Sequence, residues 1–280
     1  MGSRMAANLV ASGHELTVWN RTQATAEQFG ADHAVAVAAS PRAAATGAEL
    51  VITMVVDGDQ VAALTEQAAA GAAPGTLFVD CSTIGPAAAV AVGAALRERG
   101  MRFLDAPVTG SSPRAQDGTL TFMVGGEADD FAHALPAFEA MGELIVHAGV
   151  SGQGQVVKVI NNTLAAINAA AVGQALLVAS QAGADLDAVE QVVGSGSGGS
   201  TMMSLKAGPM RAHDYSTLFK LDHMLKDVRL CLTEAAARQV PFPLADAVER
   251  ILADSSALGH GEDDFAALLA ALEQDAGTAL

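Results

Sequence analysis

A chain of 280 residues, 51% of them hydrophobic, carries enough apolar side chains for one large or two medium cores, which excludes a disordered polypeptide. Its net charge of −16, from 15 Lys and Arg against 31 Asp and Glu, argues against a nucleic-acid surface and against adhesion to anionic membranes. The two cysteines, Cys81 and Cys231, are far apart and in no metal-ligand spacing, so no metal is expected and a reducing, cytoplasmic compartment is.

The first half alternates short apolar strands with helical stretches. A helix runs from Met1 to Gly13, followed by a strand over 15–19. Further strands are expected over 50–55, 76–81 and 102–104, rich in Val, Ile, Thr and Phe, with helices over 22–29, 41–46, 60–70 and 86–99 between them. Ser40-Pro41 and Gly85-Pro86 are helix starts, and Gly13 and Gly100 are helix stops. Strands over 119–124 and 143–147 flank a helix over 129–141. Such alternation predicts an α/β fold, a doubly wound (Rossmann) parallel sheet with helices on both faces.

From about Gly152 the pattern is helical, with helices expected over 156–182, 186–193, 218–238, 243–257 and 264–275. The Gly- and Ser-rich run 194–200 reads as a helix-to-helix loop, and no apolar stretch reads as a membrane span, because Asn168, Gln174, Ser180 and Gln181 interrupt the longest one. No secretion signal is seen. Asp129-Asp130 and Asp263-Asp264 fit negative charges in the first turns of helices. The expected domains are 1–151, α/β and dinucleotide-binding, and 152–280, all-helical.

Two motifs carry chemistry. Gly2 stands where the last glycine of a G-x-G-x-x-G turn would, and Asn20 where the ribose-reading residue would, after the strand. Neutral Asn20 followed by cationic Arg21 favours a 2′-phosphate, hence NADP over NAD. The first strand and first two glycines would precede Met1, so the natural protein is expected to start roughly ten residues earlier with a short apolar strand and Gly-x-Gly. The second motif is the run 152–162, where Lys158 and Asn162 stand four apart on one helix face. A lysine in apolar surroundings needs partners or a task, and protonating a substrate oxygen is one; a solvated surface lysine is the alternative.

Taken together, residues 1–22, 79–83, 105–126, 152–162 and 219–227 resemble the β-hydroxyacid dehydrogenases, which include 3-hydroxyisobutyrate dehydrogenase and the glyoxylate/succinic semialdehyde reductases. The resemblance implies that Lys158 is the catalytic lysine and Asn162 the amide that fixes the substrate. It implies that Thr109, Gly110 and Ser111, in Asp-Ala-Pro-Val-Thr-Gly-Ser over 105–111, bind the substrate carboxylate. The family more often has Ser at position 109 and Gly at position 111. Phe219 resembles a substrate-pocket aromatic, and Lys226 and Asp227 a late pair that returns to the active site, Lys226 on the cofactor and Asp227 on the substrate side. With the resemblance, Gly2, Asn20, Arg21, Thr22, Val55, Val56, Gln60, Ser82 and Thr83 are expected as the remaining cofactor positions.

The activity so implied is NADPH-dependent reduction of a small aldehyde acid, or its reverse, by a homodimer or homotetramer built on the helical domain. Glyoxylate, succinic semialdehyde, tartronate semialdehyde and 3-hydroxyisobutyrate are the candidate substrates. The rivals are an imine reductase of the same architecture, which usually lacks a lysine at the catalytic position, and a non-catalytic binding scaffold.

Overall fold

The computed structural model describes residues 1–280, which divide into two compact units, Met1–Lys158 and Val159–Leu280. The first unit is α/β. In chain order it contains α1 (Gly2–Ala11), β1 (Thr17–Val18), α2 (Gln23–His33), β2 (Ala36–Val37), α3 (Pro41–Ala45), β3 (Leu50–Thr53), α4 (Gly58–Ala69), β4 (Leu77–Asp80) and α5 (Pro86–Glu98). Then come β5 (Arg102–Asp105), β6 (Val108–Thr109), α6 (Ser111–Asp117), β7 (Leu120–Gly125), α7 (Ala128–Met141) and β8 (Gly142–Gly149). Local chemistry sets the helix ends. Ser40 Oγ accepts from the Ala43 amide with Pro41 at the first helical position, and Asp57 Oδ1 accepts from the Gln60 amide. Gly13 (φ +86°) and Gly100 (φ +76°) follow the last turns of α1 and α5, where the left-handed backbone favours glycine.

Strands β3, β4 and β5 pair in parallel and in register. Leu77 and Val79 of β4 enter one core cluster with Leu104, Phe122 and Phe138, while Phe78 enters another with Val61, Leu96 and Phe103. A sheet buried on both faces explains why its strands read as unbroken apolar runs. Three features depart from the sequence reading. β7 runs antiparallel to β5, because the short helix α6 between them spans only about 10 Å and cannot carry the chain back along the sheet. The unanticipated β6 joins β7 in an antiparallel pair, and β8 joins it in parallel. The strand expected over 15–19 shrinks to Thr17–Val18, which pairs only with β2 in a separate two-stranded sheet; a two-stranded ribbon holds little structure by itself.

The second unit is helical. α8 (Gln153–Gln181) starts in the first unit and is followed by α9 (Leu186–Ser195), α10 (Thr201–Ala212), α11 (Leu221–Ala237), α12 (Pro243–Ser255) and α13 (Leu269–Ala276). A π-helical turn, Ser256–His260, and a 3-10 turn, Phe265–Leu268, precede α13, so the helix expected over 264–275 begins as a tighter turn. The core gathers Leu176, Met210, Leu221, Val228, Leu252 and Leu268. α10 was not expected: Gly208 and Pro209 obscure it, and its buried face, Met203, Lys206, Ala207 and Met210, keeps helical spacing only if a lysine counts as an inside residue. Contrary to the sequence reading, α8 is by itself long and apolar enough to cross a membrane, at 29 residues with an 18-residue stretch of mean hydropathy 1.6. Ala166, Ala169, Leu176 and Leu177 of that helix are instead built into the core of the second unit.

Candidate active site

The carboxyl ends of three adjacent strands place Thr53, Asp80 and Asp105 side by side in register. Thr53 Oγ1 and Ser82 Oγ donate to Asp80 Oδ1 at 2.8 and 2.7 Å, and Ser82 Oγ accepts from the Val55 amide at 2.9 Å. Asp105 receives the Gly152 amide at 2.6 Å on Oδ1 and the Gln155 amide at 3.0 Å on Oδ2. The Gln155 side chain accepts from the Ile84 and Gly85 amides at 3.0 and 3.1 Å and donates to the Ser82 carbonyl at 2.8 Å. All four polar side chains, Asp80, Ser82, Asp105 and Gln155, are fully buried. Burial pushes the Asp105 carboxyl up to about 7, although the Gly152 and Gln155 amides pull it the other way.

This network pins the first turn of α8, whose next residues carry Lys158. Gly154 completes the fit: a Cβ there would overlap the Met123 carbonyl oxygen. Lys158 is only 6% exposed, so the solvated-lysine alternative does not hold. Asn162 is also buried, and its Nδ2 donates to Asp227 Oδ2 at 2.7 Å. Asn161 Nδ2 donates to Asn162 Oδ1 at 3.1 Å, and Lys226 Nζ lies 3.0 Å from Asp227 Oδ1. Asp227 is 1% exposed, so Lys226–Asp227 is no solvated helical pair. Three predicted residues, Asn162, Lys226 and Asp227, therefore meet in one cluster. Phe219, in the turn before α11, meets the His223 ring edge-on at 6.0 Å. Burial, with the Lys226 and Lys220 charges, holds His223 below the usual imidazole range.

The segment expected as a carboxylate-binding loop is more structured than a loop. Thr109 ends β6, opposite Thr121, and Ser111 opens α6. Between them the backbone turns through Gly110 (φ +130°) and Ser111 (φ +56°). Gly110 must be glycine, since a Cβ would stand 2.7 Å from Arg114 Cβ. Ser111 holds a left-handed conformation that costs an L-residue roughly 1–2 kcal/mol, and that strain draws attention to the turn.

The donor set fits a dinucleotide. α1 starts at Gly2 with no side-chain cap and no acid in its first turn. A Cβ on Gly2 would lie 3.6 Å from Met54 Cβ, which puts the start of α1 beside the carboxyl end of β3. An uncapped helix start at that edge of a parallel sheet suits a pyrophosphate. Asn20, Arg21 and Thr22 are exposed beyond β1, and Asn20 Oδ1 accepts from the Thr22 amide at 2.8 Å. Other predicted cofactor positions also make hydrogen bonds within the protein. The Val55 amide is taken by Ser82, and Gln60 Nε2 donates to Asp57 Oδ2 at 2.8 Å in the cap of α4. Val56 is exposed and Thr83 half-buried. A wide, shallow hollow lined by Ser3, Thr25 and Phe29 holds none of these residues; convergent polar groups, rather than concavity, mark the site.

Sequence reasoning missed Asp80, the role of Asp105, and Gln155. A signal existed: two successive strands, Leu77–Asp80 and Arg102–Asp105, each end in an aspartate ahead of small residues.

Comparison with known proteins agrees with this architecture. Residues 1–149 match the family of the NAD binding domain of 6-phosphogluconate dehydrogenase. Residues 152–272 match the NAD-binding family of NADP-dependent 3-hydroxyisobutyrate dehydrogenase. An NAD-dependent L-serine dehydrogenase of Pseudomonas aeruginosa is 38% identical over 95% of this chain and 92% of its own. Glyoxylate/succinic semialdehyde reductase 2, chloroplastic, of Arabidopsis thaliana is 31% identical over 98% of this chain and 77% of its own. The solved structure of Mycobacterium tuberculosis 3-hydroxyisobutyrate dehydrogenase with L-serine superposes with a TM-score of 0.90 at 34% identity, covering 97% of this chain and 95% of that one. An imine reductase from Myxococcus stipitatus shares the fold more distantly, with a TM-score of 0.55 at 22% identity, covering 97% of this chain and 96% of its own. With both halves matched to nicotinamide-cofactor family models and relatives of this kind matched along nearly the whole chain, the chain belongs to the β-hydroxyacid dehydrogenase family, oxidoreductases that use a nicotinamide cofactor.

Proposed function

We propose that this protein reduces a small aldehyde acid with NADPH, or oxidises the corresponding hydroxy acid, with Lys158 as the proton donor. The observation that carries the reading is the buried Lys158, one turn before the buried Asn162 on a helix whose start Asp105 and Gln155 hold in place. A buried ammonium is costly, and it serves where negative charge develops on an oxygen. A nicotinamide, when bound, would supply or accept the hydride. Lys158 Nζ then gives its proton to the carbonyl oxygen, or takes one from the hydroxyl in the reverse direction.

The substrate carboxylate is bound by Thr109 Oγ1, by the Gly110 and Ser111 amides at their positive-φ turn, and by Asn162. Asp227 acts one step back, since its Oδ2 takes one Asn162 Nδ2 hydrogen and so orients the amide. Phe219 packs against the carbon skeleton. On the cofactor side, Gly2 at the start of α1, Thr22, Thr83 and Lys226 contribute, and exposed Arg21 favours NADPH over NADH by pairing with the 2′-phosphate. The fold shared with imine reductases does not extend the reading to imines, because Lys158 stands at the position where such enzymes usually lack a lysine.

Two finer points belong to the same proposal. Val157, Ile160, Leu164 and Val178 leave an apolar stripe 42–71% exposed along α8, which supports a homodimer or homotetramer. Cys81 and Cys231 are buried, unpaired thiols, which supports a cytoplasmic setting.

The test is steady-state rates on glyoxylate, succinic semialdehyde, tartronate semialdehyde, 3-hydroxyisobutyrate and L-serine with both cofactors. Turnover of an aldehyde acid or hydroxy acid that falls in Lys158→Ala supports the reading. Turnover of cyclic imines alone defeats it.

A further inference from the structure

Lys206 is buried on the inner face of α10, with its Nζ 2.6 Å from Asp264 Oδ1 and 4.2 Å from the centre of the Phe265 ring. Sequence reasoning assigned Asp264 an ordinary helix-start role. It does accept the Ala266 amide at 2.9 Å, but it is 3% exposed and does much more. Its Oδ2 receives the Leu218 and Phe219 amides at 3.1 and 3.0 Å. The Phe219 carbonyl accepts from the Phe265 amide at 3.0 Å, and the two rings meet edge-on at 6.2 Å. The amide, carbonyl and ring of Phe219 are thus each held by residues 264–265, and Lys206 holds those residues in turn.

A buried ion pair is weak evidence for stability, because desolvation offsets its attraction; its best-attested use is to specify one geometry. Here the geometry specified is that of Phe219. We infer that Lys206 and Asp264 form a positioning pair that sets where the Phe219 ring stands, and through it which aldehyde acids are accepted. The inference rests on the reading of Phe219 as part of the substrate pocket. Neither member of the pair touches the substrate; both act through the aromatic residue.

Two measurements test it. The first is a double-mutant cycle on the ratio of kcat/KM for glyoxylate to that for succinic semialdehyde. Lys206→Met should shift this ratio by about tenfold, the scale of a one-methylene misfit, with the cofactor KM nearly unchanged. Once Phe219→Ala is present, Lys206→Met should shift the ratio no further. An unchanged ratio in folded Lys206→Met, or an equal shift in the Phe219→Ala background, overturns the inference. The second measurement needs no substrate. In a protein carrying Trp19→Phe and Phe219→Trp, the introduced indole is the sole tryptophan, and Lys206→Met should lower its fluorescence anisotropy. Unchanged anisotropy overturns the positioning role itself. Lowered anisotropy with an unchanged selectivity ratio, in a protein where Phe219→Ala also leaves that ratio unchanged, defeats the pocket reading of Phe219. If Lys206→Met does not fold, Asp264→Glu carries both tests, since it keeps both charges and displaces the carboxylate by one methylene.

Discussion

Asp105 in the first unit and Asp264 in the second are nearly the same device. Each is a buried carboxylate that accepts backbone amides and fixes the turn at, or just ahead of, a residue of the proposed site. They differ in the counter-charge. Asp264 has the Lys206 ammonium at 2.6 Å. Asp105 has amides from Gly152 and Gln155, and the neighbouring Asp80 charge pushes it further up. A buried carboxylate with an ammonium at hydrogen-bond distance has its counter-charge beside it. One held by amides alone changes its protonation near neutrality. The contrast places an ion-paired jig under Phe219 and a proton-sensitive pin under Lys158.

The largest effect should come from breaking the ion pair one-sidedly. Asp264→Asn strands a buried ammonium and should cost about 3–5 kcal/mol in urea unfolding. A loss below about 1 kcal/mol would show that the pair is solvated in solution and end the comparison.

The pin should show itself through pH. Its folded value is about 7 against an ordinary value of 3.8, so between these limits the folded chain holds a proton that the unfolded chain has released. The contribution of Asp105 to stability is therefore complete below about pH 4, falls by up to roughly 1.4 kcal/mol per pH unit above it, and levels off beyond about pH 7. Urea midpoints of the wild type should carry this fall, and Asp105→Asn should lack it. Identical pH profiles for the two proteins would mean that Asp105 stays charged throughout.

Much of this architecture is legible in the sequence because its signals are local. Proline and glycine punctuate α3, α5 and their neighbours, and Lys158 and Asn162 share a face by spacing alone. What stays hidden is long-range. Asp105 and Gln155 are 50 positions apart, and Lys206 and Asp264 are 58 apart. No period or turn rule links such pairs. α10 is hidden for the same reason: its inward lysine looks like a surface residue until its partner is known. The antiparallel β7 escaped because strand direction depends on the length of α6, a helix that Gly-Ser-Ser-Pro disguises as a turn.

The functional end of the pin is tested by Lys158→Ala, which should lower kcat by about 10²-fold, equivalent to about 2.7 kcal/mol, with cofactor affinity nearly unchanged. A near wild-type kcat would remove the proton donor from the mechanism and leave Asp105 a purely structural carboxylate.

The smallest effect lies outside both devices. Arg21→Ala should weaken NADPH by about tenfold and NADH far less, because a single exposed charge-assisted contact is lost. Equal weakening of both would show that the 2′-phosphate is read elsewhere.

The close approach of Gly154 to the Met123 carbonyl bears on how this enzyme can evolve. In a saturation library, position 154 should accept nothing but glycine among active clones, whereas Gly208 in α10, with no neighbour within 4 Å of an added Cβ, should accept alanine and gain helix stability. The start of α8 is closed to adaptive drift. Under the proposed function, new substrate ranges arise at Thr109, Ser111 and Phe219 instead, while the lysine itself stays where the glycine holds it.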